Sequence, residues 1–360
     1  MYHTSFKNNN KKTSATPSGG RPSGGNRDAG RRPQSRGGRK PSTLNPSLLI
    51  KKAVSQEIVD YKSDRLIADL PVNEKLRACL QAKGFERPTE IQDKTLETLL
   101  EGRDLLGIAQ TGTGKTGAFL IPIIDQLLRS PQKNYALIMV PTRELATQVE
   151  DEFKSMTNGL GLYSSCHIGG TNINRDLDNL RKKSHVVIGT PGRLLDLANR
   201  RALDLKSFHT LVLDEFDRML DMGFVHDVKK LISSMHNREH TLLFSATLDK
   251  TQESLIGGIL TNAATVKVSQ GESTGDHIEQ DIVRIGTGEN KFDVLCGIIA
   301  NEEYQKVLVF EETKHQVKKL CIQLNKAGFD SDDIHGNKSQ NARQTALNAF
   351  KQGRIKVLVA

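Results

Sequence analysis

The chain has 360 residues, 36% of them hydrophobic, which fits about two globular domains. Its 51 basic and 42 acidic residues give a formal net charge of +9, which favours a nucleic-acid partner only if the excess is concentrated. The sequence has no apolar run near the ~20 residues of a membrane span, no apolar leader at its N-terminus and no paired cysteine spacing. We therefore expect a cytoplasmic protein without a membrane partner, a cysteine-based zinc site or a disulfide framework.

Residues 1–46 contain the whole charge excess. They carry ten basic residues and one acid, so the rest of the chain is balanced. The segment is rich in Gly, Ser, Pro and Asn, and it cannot bury enough apolar surface to offset the entropy of ordering, so we predict disorder. Two interpretations stay open: a tail that keeps the protein soluble, or a flexible tether that follows RNA phosphates.

From about residue 47 short apolar runs alternate with amphipathic helical patterns, such as Arg143–Met156 and Val225–Met235. This alternation predicts an α/β domain over residues 47–269, with a parallel sheet covered on both faces. The predicted strands are Asp104–Ala109, Tyr135–Val140, Tyr163–Ile168, His185–Gly189, Thr210–Leu213, Thr241–Ser245 and Thr265–Val268.

A polar stretch over residues 270–276 predicts a linker to a second α/β domain over residues 277–360. The last predicted strand has no crossover helix after it, so we expect this second domain to be incomplete. Its predicted elements are strand Ile278–Ile285, helix Lys291–Ala300, strand Lys306–Phe310, helices Lys314–Lys326 and Asn341–Lys351, and strand Ile355–Val359.

A glycine-rich loop follows the first predicted strand and precedes an apolar helix. Its glycines let backbone N–H groups close around phosphate oxygens, and the helix N-terminus adds partial positive charge. Lys115 is placed to reach β- and γ-phosphates, and Thr116 to put its hydroxyl on Mg²⁺. Ala109 stands where the general pattern has glycine, and the alternative is a plain turn with a surface lysine. The candidate phosphate-binding residues are Gln110, Thr111, Gly112, Thr113, Gly114, Lys115 and Thr116.

Two carboxylates, Asp214 and Glu215, follow the apolar strand Thr210–Leu213. Ligands of open α/β sheets lie beyond the carboxyl ends of the strands, so we expect these acids at the same edge as the phosphate loop. Asp214 is suited to hold hydrated Mg²⁺ together with Thr116, and Glu215 to orient and deprotonate a water. With Lys115 they form the candidate catalytic set; the alternative is a solvated acidic strand end.

In this order the motifs resemble those of the DEAD-box RNA helicases of superfamily 2, bacterial type. The resemblance extends from about Ile67 to Ala360. It implies two RecA-like domains, the second incomplete, and an enzyme that uses ATP and Mg²⁺. It also implies an RNA partner bound with little sequence preference, and the unwinding or remodelling of short duplexes.

Residues 84–92 resemble the Q motif of that family. The resemblance implies that Gln92 recognises the adenine edge through its amide. It also implies that Phe85, Arg87 and Thr89 belong to the nucleotide site. Ile67 stands where the family usually has an aromatic residue against adenine, so we expect weaker nucleotide selectivity.

Further segments resemble the RNA-contacting elements of the family. Arg143 and Arg193 lie at predicted helix starts, where free N–H groups bind phosphate without reading sequence. Helix capping at Arg143 and an ordinary helix cation at Arg343 are the alternatives. The implied RNA-binding residues are Pro141, Thr142, Arg143, Gly170, Thr190, Pro191, Arg193, Gln340 and Arg343.

The Ser245-Ala246-Thr247 segment resembles the motif that couples nucleotide state to RNA binding in the family. With Asp217 of the acidic box, Ser245 and Thr247 are therefore implied to couple the two sites. The segment is too short to carry this alone, and its position about 30 residues after Asp214 supports the assignment.

Two departures from the family pattern stand out. Phe216 replaces the alanine of the acidic box, so its surroundings must be repacked or the switch altered. The family's last two motifs, including an arginine finger worth about 10³–10⁵ in rate in related systems, would follow Ala360. We therefore expect a fragment that binds nucleotide weakly and hydrolyses it slowly.

Two other functions compete with this interpretation. One is a translocating DNA helicase or another DNA-dependent P-loop ATPase, against which the Q motif and the Ser245–Thr247 segment argue. The other is a non-catalytic RNA clamp or annealing module, which the missing motifs favour for this polypeptide.

Overall fold

The computed structural model describes residues 50, 61–131, 135–268 and 278–360. The predicted disordered segment 1–46 and the predicted linker 270–276 lie outside this part of the chain. None of the described helices is long and apolar enough to cross a membrane.

A seven-stranded parallel sheet forms the centre of the first half, in the order β3-β4-β2-β5-β6-β1-β7. Each strand begins and ends within about a residue of its predicted bounds. β2, β4 and β5 are buried along their whole length and are apolar runs, whereas β3 (Ser-Ser-Cys-His) and β7 (Ala-Thr-Val-Lys) are only partly buried. The strands are β1 (Leu105–Ile108), β2 (Ala136–Met139), β3 (Ser164–His167), β4 (Val186–Gly189), β5 (Thr210–Leu213), β6 (His240–Ser245) and β7 (Ala264–Lys267).

Helices cover both faces of this sheet and bury two apolar layers. Phe119, Phe153 and Phe244 belong to one layer, and Phe208 and Phe216 to the other. Short 3₁₀ turns at Ile67–Asp69 and Leu205–Ser207 complete the first half. The helices are α1 (Glu74–Ala82), α2 (Glu90–Leu100), α3 (Lys115–Arg129), α4 (Arg143–Met156), α5 (Ile173–Arg181), α6 (Pro191–Asn199), α7 (Phe216–Asp221), α8 (Val225–Ser233) and α9 (Lys250–Gly257).

The second half contains a parallel three-stranded sheet in the order β8-β10-β9. Its helices and two of its strands follow the predicted pattern. The elements are β8 (Val307–Val309), β9 (Ser331–Asp333), β10 (Val357–Val359), α10 (Lys291–Ala300), α11 (Lys314–Lys326) and α12 (Gln340–Lys351).

One predicted strand of this half is wrong and one observed strand was not predicted. Residues 278–285 form a single bridge at Gln280 and are otherwise irregular, with Ile278 and Val283 each 56% exposed. Alternating apolar residues there find no neighbouring strand in the described chain to satisfy the backbone groups of a ladder. Conversely β9 has the polar sequence Ser-Asp-Asp, and it is a strand because it pairs along β10.

Candidate functional site

The phosphate loop connects β1 to α3 at the carboxyl edge of the sheet. Gly114 precedes α3 with a φ of 94°, which an L residue adopts only under strain. A Cβ at this position would also lie 2.5 Å from Thr89 Oγ1, at the start of α2. The loop therefore requires glycine here both for its turn and for its close approach to α2.

Lys115 sits in the mouth of this loop with 6% of its surface exposed. Its ammonium donates a hydrogen bond to the carbonyl of Ala109 at 3.0 Å. Nearby, Gln110 Oε1 is buried and has no hydrogen-bond partner among the described residues, while Thr113 Oγ1 donates to the Gln110 carbonyl at 2.8 Å. Thr116 follows in the first turn of α3, and Thr111 and Gly112 are exposed at the tip.

Gln92 ties α2 to the phosphate loop. Its Oε1 accepts a hydrogen bond from the Thr89 backbone N–H at 3.1 Å, which completes a capping box. Its Nε2 donates to the Gly114 carbonyl at 3.0 Å, and the residue is 4% exposed. Both ends of the amide predicted to recognise adenine are thus engaged within the protein.

The other residues predicted for the base site make contacts within the protein. Arg87 Nη1 donates to the Ser63 carbonyl at 2.5 Å. Phe85 packs on the apolar layer that contains Phe119. Ile67 is fully buried in the same layer, so its side chain offers no exposed surface to a base.

The predicted catalytic carboxylates follow β5 at the edge that carries the phosphate loop. Asp214 is 2% exposed, and burial raises the pKa of its carboxyl to about 6, although the Lys115 ammonium opposes the shift. Its Oδ1 accepts a hydrogen bond from the Glu215 backbone N–H at 2.9 Å. Glu215 itself has a φ of 51°, a strained left-handed conformation of the kind found at functional sites.

Phe216 begins α7 immediately after this pair and is 2% exposed. Its ring belongs to the apolar layer that also contains Met219 and Leu243. The larger side chain is therefore accommodated in the core, and the two carboxylates keep their places at the strand end.

Asp217 links the acidic box to the segment after β6. Its Oδ2 accepts hydrogen bonds from the backbone N–H groups of Ala246 and Thr247, at 3.2 and 3.1 Å, and from Thr247 Oγ1 at 3.1 Å. Ser245 Oγ donates to the Thr247 carbonyl at 2.6 Å, and the Ser245 carbonyl accepts the Ala109 N–H. The residues predicted to couple the two sites thus form one connected set that begins at the phosphate loop.

A second cluster lies along the same edge, at the starts of α4 and α6. The Arg143 guanidinium lies against the Gly169–Gly170 turn, where a Cβ at Gly170 would be 2.5 Å from Nη1. Pro141 is buried, and Thr142 caps α4 by accepting the Leu145 N–H at 3.2 Å. Thr190 and Pro191 begin α6 as its N-cap and first residue.

Arg193 is held inside the protein. Its Nη1 lies 2.9 Å from Asp176 Oδ2, its Nη2 donates to the Thr171 carbonyl at 2.7 Å, and its side chain is only 9% exposed. The other oxygen of Asp176 lies 3.2 Å from Nδ1 of the fully buried His167. In this structure Arg193 therefore braces the turn after β3 and does not present its charge to solvent.

Two predicted residues of the second half reach this cluster. Gln340 Oε1 accepts from Arg143 Nη1 at 3.5 Å, and Gln340 Nε2 donates to Glu144 at 3.3 Å. Arg343 forms an ion pair with Glu144 at 2.9 Å. The structure thus brings together residues of two segments that are almost 200 positions apart.

Glu144 and Asp176 were not predicted, although each holds an arginine of the cluster. Glu144 lies in the first turn of α4 and Asp176 on the buried face of α5. Nothing else in the sequence distinguishes these two residues from surface acids. Such pairs depend on tertiary packing and leave no local pattern in the sequence.

Two family models match the chain. One is described as DEAD/DEAH box helicase and matches residues 89–255, and the other as helicase conserved C-terminal domain and matches residues 290–360. RNA helicase CrhR of Synechocystis is 39% identical over 294 residues, covering 81% of this chain and 59% of the relative. DEAD-box ATP-dependent RNA helicase CshA of Bacillus licheniformis is 38% identical over 292 residues, with 81% and 60% covered. The chain thus spans somewhat more than half the length of these curated relatives.

Two solved structures of helicase-type proteins are also similar to this chain. A DEAD box protein from the hyperthermophile Methanococcus jannaschii is 35% identical with a TM-score of 0.54, covering 82% of this chain and 79% of that one. A hypothetical ATP-dependent RNA helicase from Sulfolobus tokodaii is 30% identical with a TM-score of 0.52, with 80% and 82% covered.

Proposed function

The chain belongs to the DEAD/DEAH box helicase family, and on that premise we propose that it is an ATP-dependent RNA helicase. It binds ATP at the phosphate loop and RNA along the adjoining edge, and it remodels short duplexes. Its working place is the cytoplasm, where both ATP and RNA are available. The observation that carries the proposal is the chain of hydrogen bonds from Lys115 through Ala109 and Ser245 to Thr247 and Asp217, which links the phosphate loop to the segment after β6.

The nucleotide half of the proposal rests on three buried polar groups at the phosphate loop and the end of β5. A buried carboxyl with a raised pKa, Asp214, lies near a nearly buried ammonium, Lys115, and Gln110 Oε1 lacks a partner. Such groups are costly without a ligand, so their presence together fits a triphosphate with its metal ion. Thr116 and Asp214 would hold Mg²⁺, which supplies charge neutralisation at the phosphates when bound.

The residues of the chain supply positioning and proton transfer. Lys115 exchanges the Ala109 carbonyl for phosphate oxygens when the nucleotide binds. Glu215, held in a left-handed conformation by the turn into α7, orients a water and accepts its proton. Gln92 sets the position of the phosphate loop through Gly114, and it contacts adenine only after giving up one of its internal hydrogen bonds.

The RNA half rests on the two helix N-termini beside the Gly169–Gly170 turn. Backbone N–H groups at the starts of α4 and α6, with Thr142 and Thr190 at the caps, suit phosphates and carry no base readout. Low sequence specificity follows from this. RNA also has to displace or reuse the Arg143–Gln340 and Glu144–Arg343 contacts, which makes its binding sensitive to the relative placement of the two segments.

Two further parts of the proposal concern the coupling of the two sites and an additional RNA contact by residues 1–46. Asp217 transmits nucleotide binding to Thr247 because one carboxylate oxygen accepts three hydrogen bonds there. The basic segment 1–46, which lies outside the described residues, acts as a weak tether for RNA.

Single-turnover ATP hydrolysis by the 360-residue chain, with RNA or DNA as activator, tests the proposal. We expect stimulation by RNA that Lys115→Ala abolishes, while Lys94→Ala, a surface lysine on α2, leaves it intact. Stronger stimulation by DNA would favour a DNA-dependent ATPase, and RNA binding without any Lys115-dependent hydrolysis would favour a clamp.

A further inference from the structure

A groove runs along β3, the edge strand of the seven-stranded sheet. β3 pairs with β4 alone and is flanked by α4 and α5. The space beside it has a volume of about 630 Å³. We call it the β3 groove; four cations and one acid line it, namely Lys154, Arg175, Lys182, Lys183 and Glu150.

Three of these cations have no counter-ion within the described part of the chain. Arg175 and Lys183 are exposed and form no ion pair there, and Lys182 Nζ donates to the neutral amide oxygen of Asn179 at 3.1 Å. Only Lys154 is neutralised, by Glu150 at 2.9 Å. Because the chain outside residues 1–46 is balanced overall, this is a local excess of positive charge.

An aromatic ring stands in the same groove. Tyr163 is 55% exposed, and its ring stacks on the His185 ring with centroids 5.9 Å apart and planes 18° apart. His185 is fully buried, and its Nδ1 accepts the Tyr163 backbone N–H at 2.9 Å. Burial and the neighbouring Lys183 lower the pKa of His185, so the ring beneath Tyr163 is neutral. One side of the Tyr163 ring is thus packed on a buried side chain, while more than half of the residue stays exposed.

The groove also contains a polar group without a partner, and it leads toward the proposed RNA edge. Ser164 Oγ is buried in its lining and has no partner among the described residues. β3 is about 13 Å long at ~3.3 Å per residue, and its carboxyl end leads into the Gly169–Gly170 turn. A strand of nucleic acid lying in the groove therefore continues toward the proposed RNA edge.

We propose that the β3 groove is an accessory site for single-stranded RNA, with a base stacked on Tyr163 and phosphates on Lys182, Lys183 and Arg175. The proposal rests on the RNA-binding function put forward above and extends the RNA path beyond the helix N-termini. An exposed aromatic ring among unpaired cations is the combination that binds single strands without sequence preference. An acidic peptide added to the β3 edge would use the cations but not the ring face.

Fluorescence anisotropy of a labelled oligouridine of about 25 nucleotides, longer than the usual site of a single domain, tests this with the full chain. The variant Lys182→Gln/Lys183→Gln should reduce the slope of log Kd against log salt by about 1.4, since each phosphate contact on a single strand contributes ~0.7. The matched control Lys229→Gln/Lys230→Gln alters an exposed pair on α8 and should leave the slope unchanged.

Tyr163 separates the accessory site from general electrostatics. Tyr163→Ala should weaken binding about tenfold, whereas Tyr163→Phe should bind as the parent does, because stacking needs the ring alone. RNA carrying 5-iodouridine should cross-link to Tyr163 on irradiation. Thermal melting of both variants checks that the fold is retained.

The possible contrary results distinguish failure of the accessory site from failure of the proposed function. Equal losses in the groove and control lysine pairs, or full binding by Tyr163→Ala, would overturn the accessory site. So would displacement of the RNA by polyglutamate when Tyr163→Ala has no effect, which would assign the groove to an acidic peptide. If the parent chain bound no RNA at all, the proposed function itself would fail; if it bound RNA and the groove variants matched it, only the accessory site would fail.

Discussion

Replacing Asp214 by asparagine should stabilise the protein while removing the ATP hydrolysis proposed above. The carboxyl has a pKa of about 6 in the folded chain against 3.8 when unperturbed, chiefly because it is buried. This difference of about two pH units corresponds to a cost of about 3 kcal/mol for folding with the charge in place. Asparagine keeps an oxygen for the Glu215 N–H and carries no charge.

The effect has a definite pH dependence. A group whose pKa is raised on folding favours the folded state below its unfolded pKa, and this contribution is lost as pH rises through its folded pKa. The contribution of Asp214 is therefore present below pH 3.8 and is lost between there and about pH 6. The advantage of Asp214→Asn over the parent should grow across the same window and stay constant above it.

Thermal unfolding without nucleotide and with a metal chelator measures this. At neutral pH we expect Asp214→Asn to raise the melting temperature of the first half by several degrees, at about 2–4 °C per kcal/mol for a domain of this size. Glu215→Gln, which removes the same charge from the more exposed neighbour, should change stability by less than ~0.5 kcal/mol. A destabilised Asp214→Asn, or a difference that does not vary between pH 4 and about 6, would refute the reasoning.

Three further variants test other contacts. Gly114→Ala should cost more than Gly112→Ala in urea unfolding, because both have positive φ but only Gly114 would place a Cβ 2.5 Å from a neighbour; equal costs would contradict this. Asp217→Ala should lower RNA-stimulated hydrolysis several-fold while ATP binding, followed by a fluorescent analogue, persists; unchanged stimulation would exclude a coupling role. Asp176→Asn should destabilise the chain by about 3–5 kcal/mol, since it leaves the Arg193 guanidinium buried without its counter-ion; a change below ~1 kcal/mol in urea unfolding would show that the pair is dispensable.

The sequence was sufficient for most of the fold because its signals are local. Strands buried on both faces are apolar runs, and this signal locates β2, β4 and β5 to within about a residue. β9 could not, because Ser331–Asp333 is polar and is held only by its pairing with β10. Residues 278–285 have the composition of a strand but not the neighbour that a strand needs.

In the candidate site, too, the features with a local sequence signal could be predicted and those that depend on tertiary packing could not. The phosphate loop and Asp214 follow from the order of strand, loop and helix. The engagement of Gln92 with Gly114, and the burial of Arg193 against Asp176, depend on which side chains tertiary packing brings together. The spacing of residues along the chain does not predict such contacts.

The affinity of the chain for single-stranded RNA, measured with and without a non-hydrolysable ATP analogue and Mg²⁺, tests the central claim most directly. If nucleotide binding at Lys115 is transmitted through Asp217 to the RNA edge, the analogue should tighten RNA binding at least tenfold, which is about 1.4 kcal/mol of coupling, and Lys115→Ala should abolish the effect. The same affinity in both conditions, or a larger gain for DNA than for RNA, would contradict the account.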